Sequence, residues 1–364
     1  MNHNVSILTW NIYFGTILSP LVGTTPEELP QRVTEVFRLF QATNFPVRAG
    51  AIADQIARKK PDIIGLQEAA IWQLLLPQNS EVAVEYDFVS ILLKELKKRG
   101  LHYEVLAIVD TTDVTLPSST GFNVRFVDRD AILVRKNSGL TFSNIETENF
   151  DAFLTVPVGG NPEKLLFGFI SVDVGIFGKK FRLVNTHLQP VTPEIPQTLP
   201  IQLAQADELL KGPGATDLPL VFIGDFNSNS DGSGPTYNKL ISEGGFTDTW
   251  EIAGKGDGFT CCQDADVLNL ISQLFVRIDL ILFRGDFKVK KVDVVGEEQE
   301  DRTPTALWPS DHAGVFASLH LEDHHDESSD ESSEHHHHDE SSDESSEHHH
   351  HHPPHKESSD ESSN

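Results

Sequence analysis

The spacing of apolar positions changes repeatedly along the first 320 residues. Val5-Ser6-Ile7-Leu8-Thr9-Trp10 reads as a strand. Ala49, Ile52, Ala53, Ile56 and Ala57 recur at helical spacing, and that helix stops at Lys59-Lys60-Pro61. Asp62-Ile63-Ile64-Gly65-Leu66 reads as the next strand. Val89, Leu92, Leu93 and Leu96 mark a second helix, which Gly100 closes. Further strands are expected at 131–135, 166–174, 182–185, 220–223, 278–283 and 313–319, with a helix over 201–210. Strands outnumber helices, and helices fall between some of them. The pattern therefore predicts a layered α/β protein with two sheets and helices outside. Segments 15–47 and 110–128 read as long loops, which often form substrate surfaces.

The pattern ends at Leu321. From there the chain repeats Asp-Glu-Ser-Ser-Asp-Glu-Ser-Ser-Glu followed by a His run, starting at Asp326 and again at Asp339. Beyond Leu321 the only nonpolar residues are two prolines. Such a segment cannot bury enough surface to offset chain entropy and is expected to be disordered. Two parts follow: a globular domain over 1–321 and a tail over 322–364. The tail holds 12 of the 17 histidines and a net charge of −14, out of −27 for the 364 residues. Runs of neutral imidazole beside carboxylates suit Zn²⁺, Ni²⁺ or Cu²⁺. The same Ser-Asp-Glu units resemble acidophilic kinase sites, and a purely solubilising tail fits them as well.

The body is still acidic at −13. That argues against a strong nonspecific duplex-binding surface, which needs Lys and Arg to displace counterions. It leaves nucleases open, since a divalent metal can carry the local positive charge. The two cysteines, Cys261 and Cys262, are neighbours. Neighbours rarely bridge, so free, buried, inert thiols and a reducing compartment are expected. No signal-peptide pattern and no apolar run of membrane-spanning length is present. A cytoplasmic monomer without a transmembrane segment is the expectation.

Polar residues close strand after strand. Asn11 ends the first, and Glu68 the second. Asn185-Thr186-His187 ends the strand at 182, and Gly224-Asp225-Phe226-Asn227 the strand at 220. Asp279 opens the strand at 278, and Ser310-Asp311-His312 precedes the last. Hydrogen-bonding and metal-binding groups on strand ends meet at one sheet edge, where a core has no use for them. Asp225 and Asn227, two apart, face the same way in extended chain. One suits positioning or deprotonating water, the other donating to an oxyanion. Glu68 is the kind of single oxygen ligand that suits Mg²⁺. His312 has a carboxylate beside it, and Asp279 can orient its ring.

Taken in order, Thr-Trp-Asn11, Leu-Gln-Glu68, Asn-Thr-His187-Leu, Gly-Asp225-Phe-Asn227, Arg-Ile-Asp279-Leu and Ser-Asp311-His312 resemble the endonuclease/exonuclease/phosphatase superfamily. The resemblance spans Val5 to about Leu321. It implies a four-layered α/β/β/α sandwich, with two mixed sheets packed face to face, that hydrolyses phosphoesters with Mg²⁺ or Mn²⁺. By the same resemblance Glu68 is the principal metal ligand, helped by Asn11 and Asp311. Asp225 aligns or deprotonates the attacking water, while Asn227 and His187 contact the phosphate. His312, oriented by Asp279, stabilises phosphoryl charge or passes a proton to the leaving group. The imidazole at 187 departs from abasic-site endonucleases. Tyr13 and Phe14 after Asn11 offer no second carboxylate there.

The expected activity is phosphodiester hydrolysis, nuclease-like or sphingomyelinase-like, on nucleic acid, phospholipid or a small phosphodiester. An inositol-phosphate type of phosphomonoesterase and a metal-handling protein with a vestigial site are the alternatives. Ile17–Val22 is an apolar, Pro-spaced stretch that suits either lipid contact or packing on the body. Arg125 and Arg129 suit either a second phosphate or surface ion pairs. Residues 259–266 are a candidate pocket lining, and Lys94, Lys97, Lys98 and Arg99 form the one basic cluster.

Overall fold

The computed structural model describes residues 3–322. The repeats expected to be disordered and to bind transition metals lie outside the described residues. In chain order the elements begin with β1 (Asn4–Asn11), α1 (Leu29–Ala42), α2 (Phe45–Lys59), β2 (Ile63–Gln67), β3 (Ile71–Leu75), β4 (Val82–Asp87) and α3 (Phe88–Lys98). The middle of the chain is mostly strand: β5 (Tyr103–Pro117), β6 (Asn123–Arg135), β7 (Thr141–Asn149), β8 (Leu154–Val158), β9 (Asn161–Leu165), β10 (Gly168–Ile176) and β11 (Lys179–His187). It closes with α4 (Thr198–Lys211), β12 (Leu220–Asp225), α5 (Pro235–Ser242), β13 (Thr247–Asp248), α6 (Thr249–Ala253), β14 (Asp279–Arg284), β15 (Phe287–Val295) and β16 (Gly314–Leu321).

Two mixed sheets carry the fold. One runs β15-β16-β1-β2-β6-β3-β4, with β5 paired to β6; the other runs β13-β14-β12-β11-β10-β7. The period-2 pattern explains their packing. Val5 and Ile7 of β1 face Ile170, Val172 and Ile223 of the second sheet. Leu8 and Trp10, on the other face of β1, pack with Phe45, Ala49 and Ile52 of α2. In β12, Val221 and Ile223 point between the sheets, while Leu220 and Phe222 pack with Ala206 and Leu209 of α4. Three apolar layers thus separate helix, sheet, sheet and helix, and the fold is the α/β/β/α sandwich. Gly65 is where the sheets come closest. A Cβ there would lie 2.5 Å from Ile223 Cδ1 and 2.7 Å from Asn185 Oδ1.

Two expectations are corrected. Segment 15–47 is a loop only as far as residue 28, and nearly all of the rest is helix. Leu29, Val33, Val36, Phe37 and Phe40 repeat at helical spacing and are buried on one side of α1, with Phe40 stacked on Trp72 at 4.7 Å. Segment 110–128 is the turn end of the long β5–β6 hairpin. Its polar positions, such as Asp113 and Arg125, alternate with apolar ones, and the two pair across the strands at 2.8 Å. A half-buried strand with charged outer positions reads as polar loop.

Glu297, just after β15, has a buried oxygen without a partner. Burial pushes its carboxyl up to about 7, and Glu298 and Asp301 add to the effect. The folded chain therefore holds this proton more tightly than the unfolded one. The stability it contributes is full below the ordinary value of 4.5 and is lost as pH rises through about 7. Glu297→Gln should leave the melting temperature unchanged near pH 4.5 and raise it at pH 8 by a few degrees. That corresponds to about 1 kcal/mol once partial solvent exposure is allowed for. Equal shifts at both pH values would refute this account.

Candidate active site

Strand register assembles the centre of the site. His187 of β11 lies opposite Asp225 of β12, and Asp225 lies opposite Asp279 of β14. Directly opposed residues on neighbouring strands put their side chains side by side. On the other sheet Asn11 lies opposite Gln67 at the matching ends of β1 and β2, which places Glu68 one residue beyond. Tyr13, Glu68 and Asn227 all take left-handed φ values of 59°, 56° and 48° just past these strand ends. Non-glycine residues held there by surrounding bonds are common at functional sites.

One amide ties the two sheets together. Asn11 Nδ2 donates to Glu68 Oε1 at 3.0 Å and to Asp225 Oδ2 at 3.0 Å. Asn11 Oδ1 accepts from Tyr13 N at 3.0 Å, and Glu68 Oε2 accepts from Phe14 N at 2.9 Å. Asp225 Oδ1 accepts from Asn227 N at 3.0 Å. Its Oδ2 lies 3.4 Å from His187 Nε2 and 3.7 Å from His312 Nε2. His312 Nδ1 is 2.8 Å from Asp279 Oδ2, and its Nε2 is 3.9 Å from Asp311 Oδ1. All eight residues singled out in the sequence therefore meet in one cluster. Asn227 is engaged differently from expectation, because one of its amide hydrogens goes to Leu188 O at 2.8 Å.

Charge in this cluster is negative and buried. Burial drives the Asp311 carboxyl up to about 7; Glu68 and Asp225 add to that, while His312 and Arg48 oppose it. Burial alone would lower His312, but the Asp279, Asp311 and Asp225 carboxylates hold it well above its ordinary range. Burial raises Asp279 to about 6, and the neighbouring imidazolium pulls it back. At neutral pH an imidazolium hydrogen-bonded to a carboxylate follows.

Among the described residues, two groups of side chains are close enough to share a cation: Asp225, Asp279 and His312, and Cys261, Cys262 and His312. In the second group the neighbouring Cys261 and Cys262 lie side by side next to His312. Cys261 Sγ lies 3.6 Å from His312 Nε2. In the first group Asp279 and His312 already satisfy each other, although Asp279 Oδ1 has no partner. Glu68, Asp225 and Asp311 are the remaining carboxylates. An all-oxygen set in which Glu68 and Asp225 raise the proton affinity of Asp311 suits Mg²⁺ or Mn²⁺, and a divalent cation would relieve that repulsion. The residues present fit such an ion.

Several supporting residues have no role assigned from the sequence alone. Arg48 is fully buried and donates to the carbonyls of Thr43, Ile12, Pro309 and Tyr13 at 2.7–2.9 Å. It clamps the segments after Asn11 and before Asp311. A lone Arg on the buried face of α2 was its only signal. Gln67 Nε2 donates to Asn185 Oδ1 at 2.7 Å, and Asn185 Nδ2 donates across to Leu66 O and Ala131 O. These amides staple the sheets beneath the site. Asp128 and Asp130 are buried, and burial raises both well above the carboxylate range. Ser310 Oγ donates to Asn11 O at 2.6 Å.

Four of the basic candidates make ion pairs. Arg125 pairs with Asp113; Arg129 pairs with Asp87 at 2.7 Å and donates to Ala69 O. Lys98 and Arg99 pair with Glu95, and Arg99 also with Asp54. Arg125 and Arg129 are thus both engaged in ion pairs within the protein. No helix among the described residues is long and apolar enough to cross a membrane.

Comparison with known proteins agrees with this geometry. The model of the endonuclease/exonuclease/phosphatase family matches residues 8–312. Among solved structures, an endonuclease/exonuclease/phosphatase family protein from Bacteroides thetaiotaomicron is similar at 19% identity and TM-score 0.53, covering 88% of this chain and 98% of that one. One of the same family from Leptotrichia buccalis is similar at 18% and 0.51, covering 86% and 99%. A mannosyl-6-phosphatase from Bacteroides thetaiotaomicron is similar at 19% and 0.52, covering 86% and 99%. At these identities the likeness concerns the fold. No curated protein matches the chain.

Proposed function

The chain belongs to the endonuclease/exonuclease/phosphatase family, hydrolases that act on phosphoesters, and on that premise we propose that it is a phosphodiesterase dependent on Mg²⁺ or Mn²⁺. The observation that carries this reading is the position of Asp225. One of its oxygens lies within 3.0–3.7 Å of groups from three different places, Asn11, His187 and His312.

Glu68, with Asn11 and Asp311, would hold the ion, and Asp225 lies close enough to share it. When bound, the ion supplies Lewis-acid neutralisation of phosphoryl charge. The protein's own groups do the rest. Asp225, fixed by Asn11 and the Asn227 amide, orients an attacking water and accepts its proton. His312, charged and aligned by Asp279, donates from Nε2 toward phosphoryl or leaving-group oxygen. His187 and the free amide hydrogen of Asn227 hold a non-bridging oxygen. A fixed set of donors on rigid strand ends is what an in-line displacement at phosphorus requires.

Glu68→Gln tests the ion's place. With bis(4-nitrophenyl) phosphate and Mg²⁺, wild-type turnover should vanish on adding a chelator and return with excess metal. Calorimetric titration with Mn²⁺ should show at least about tenfold weaker binding in the variant. Chelator-insensitive turnover, or unchanged Mn²⁺ affinity, would overturn the assignment.

A further inference from the structure

A cavity of about 340 Å³ adjoins the catalytic cluster, and Glu68 and His187 are part of its lining. Most of its wall is hydrocarbon: Phe14, Leu21, Val36, Trp72, Phe126 and Val156. The charged or titratable groups that line it are Glu68, Asp128 and His187 from the site, with Glu163 and Lys164. Val22 and Lys164, both exposed, also line it, so it reaches the surface.

The cavity is built rather than left over. Its outer wall is the Ser19–Leu21 turn zipped to the β8–β9 hairpin. Gly23 N donates to Pro157 O at 2.8 Å, Gly160 N to Thr24 O at 3.2 Å and Gly159 N to Thr24 Oγ1 at 3.0 Å. Val22 and Val158 form a backbone bridge. α1 and the β5–β6 hairpin complete it through Val33, Val114 and Val124. A concave, solvent-reaching apolar surface beside a few polar groups is the usual setting of a ligand site. A wall held open by backbone hydrogen bonds beside a metal-binding carboxylate points to a ligand.

The chemistry of the wall selects that ligand. A sugar, an inositol ring or a nucleobase would bring more hydroxyls or ring edges than the few polar groups of the inner wall, chiefly Gln189 with its unpartnered Oε1 and the Asp128 carboxylate, can pair. Thr112, the buried hydroxyl in the wall, is taken up by the Leu166 backbone. A hydrocarbon chain loses nothing there. The volume is about twice that of a cavity that admits benzene, or room for about ten to twelve carbons.

We propose that this cavity is a subsite for a long hydrocarbon arm of the phosphoester substrate. The scissile phosphate would sit at Glu68, Asp225 and His187, with its apolar chain running along α1 toward the β8–β9 hairpin. This deepens the phosphodiesterase reading above and rests on it. It turns segment 17–22, ambiguous in the sequence, into part of a substrate wall.

The test is a series of 4-nitrophenyl n-alkyl phosphates, from methyl to decyl, assayed with Mg²⁺ below their aggregation concentrations. The expected result is a kcat/KM that rises about threefold per added methylene until the cavity is full. Val156→Trp fills the cavity away from the catalytic cluster. It should keep methyl-ester turnover within about twofold and lose the rise. Leu18→Trp, at a half-buried liner, repeats the test should Val156→Trp fail to fold. Wild-type hydrolysis with no dependence on chain length would overturn the subsite and leave the hydrolase reading standing. Hydrolysis of no member would sink the hydrolase reading instead. Calorimetric binding of n-decyl phosphate against methyl phosphate, in wild type and Val156→Trp, then decides the subsite. At least tenfold tighter decyl binding in wild type alone supports it, and equal affinities overturn it.

Discussion

Asp225→Asn should lower phosphodiester turnover by at least about a hundredfold at saturating substrate and Mg²⁺, the scale of a positioned general base. The substitution keeps size and can still accept from the Asn227 amide, so the fold should persist. It removes the oxygen charge that lies 3.4 Å from His187 and 3.7 Å from His312. Steady-state kinetics on bis(4-nitrophenyl) phosphate, with Mn²⁺ affinity measured in parallel, separates the roles. A lost kcat with metal binding retained within a few-fold assigns Asp225 to the water. Metal affinity falling in step with turnover would make it chiefly an ion ligand. Turnover near wild type would remove it from the chemistry.

His312→Ala should cost at least about a hundredfold with an alkyl leaving group. The loss should shrink sharply with 4-nitrophenolate, which departs without a proton. That split distinguishes proton donation from general damage to the site. Asp279→Asn should lose less, because Asp279 acts through the ring it holds at 2.8 Å. The double variant should be no worse than His312→Ala alone, since groups acting as a unit are not additive. Additive losses would show that Asp279 has a separate task, for instance through its unpartnered Oδ1. Equal losses with both leaving groups would leave His312 as a charge-stabilising group rather than an acid.

Much of the site was legible because its residues break a pattern. Asn11, Glu68, His187, Asp225 and Asp311 each put a polar group where an apolar strand ends, and only chemistry or strain explains several such breaks in one chain. The elements that were missed broke no pattern. α1 lies in a Pro-rich stretch that reads as loop or as a helix and loop packed on the body, and Val33, Val36, Phe37 and Phe40 are spaced for the helix. β5 and β6 were missed where their outward positions are charged and their hairpin is exposed. Arg48 looked like an ordinary helix residue. Its worth lies in four carbonyls from three segments, none of them on α2.

The sequence by itself determined the layered α/β class and the set of polar groups available for phosphoester chemistry. Strand periodicity and strand-end breaks are local properties, written within five to ten residues. Only the tertiary structure decided how those groups are used. The pairing of His187, Asp225 and Asp279 depends on the register of three strands, and the Asn11 bridge depends on two sheets meeting. The apolar cavity depends on a helix, two hairpins and a turn that are far apart in the chain. Distances between segments follow from packing, and packing is fixed by the whole chain at once.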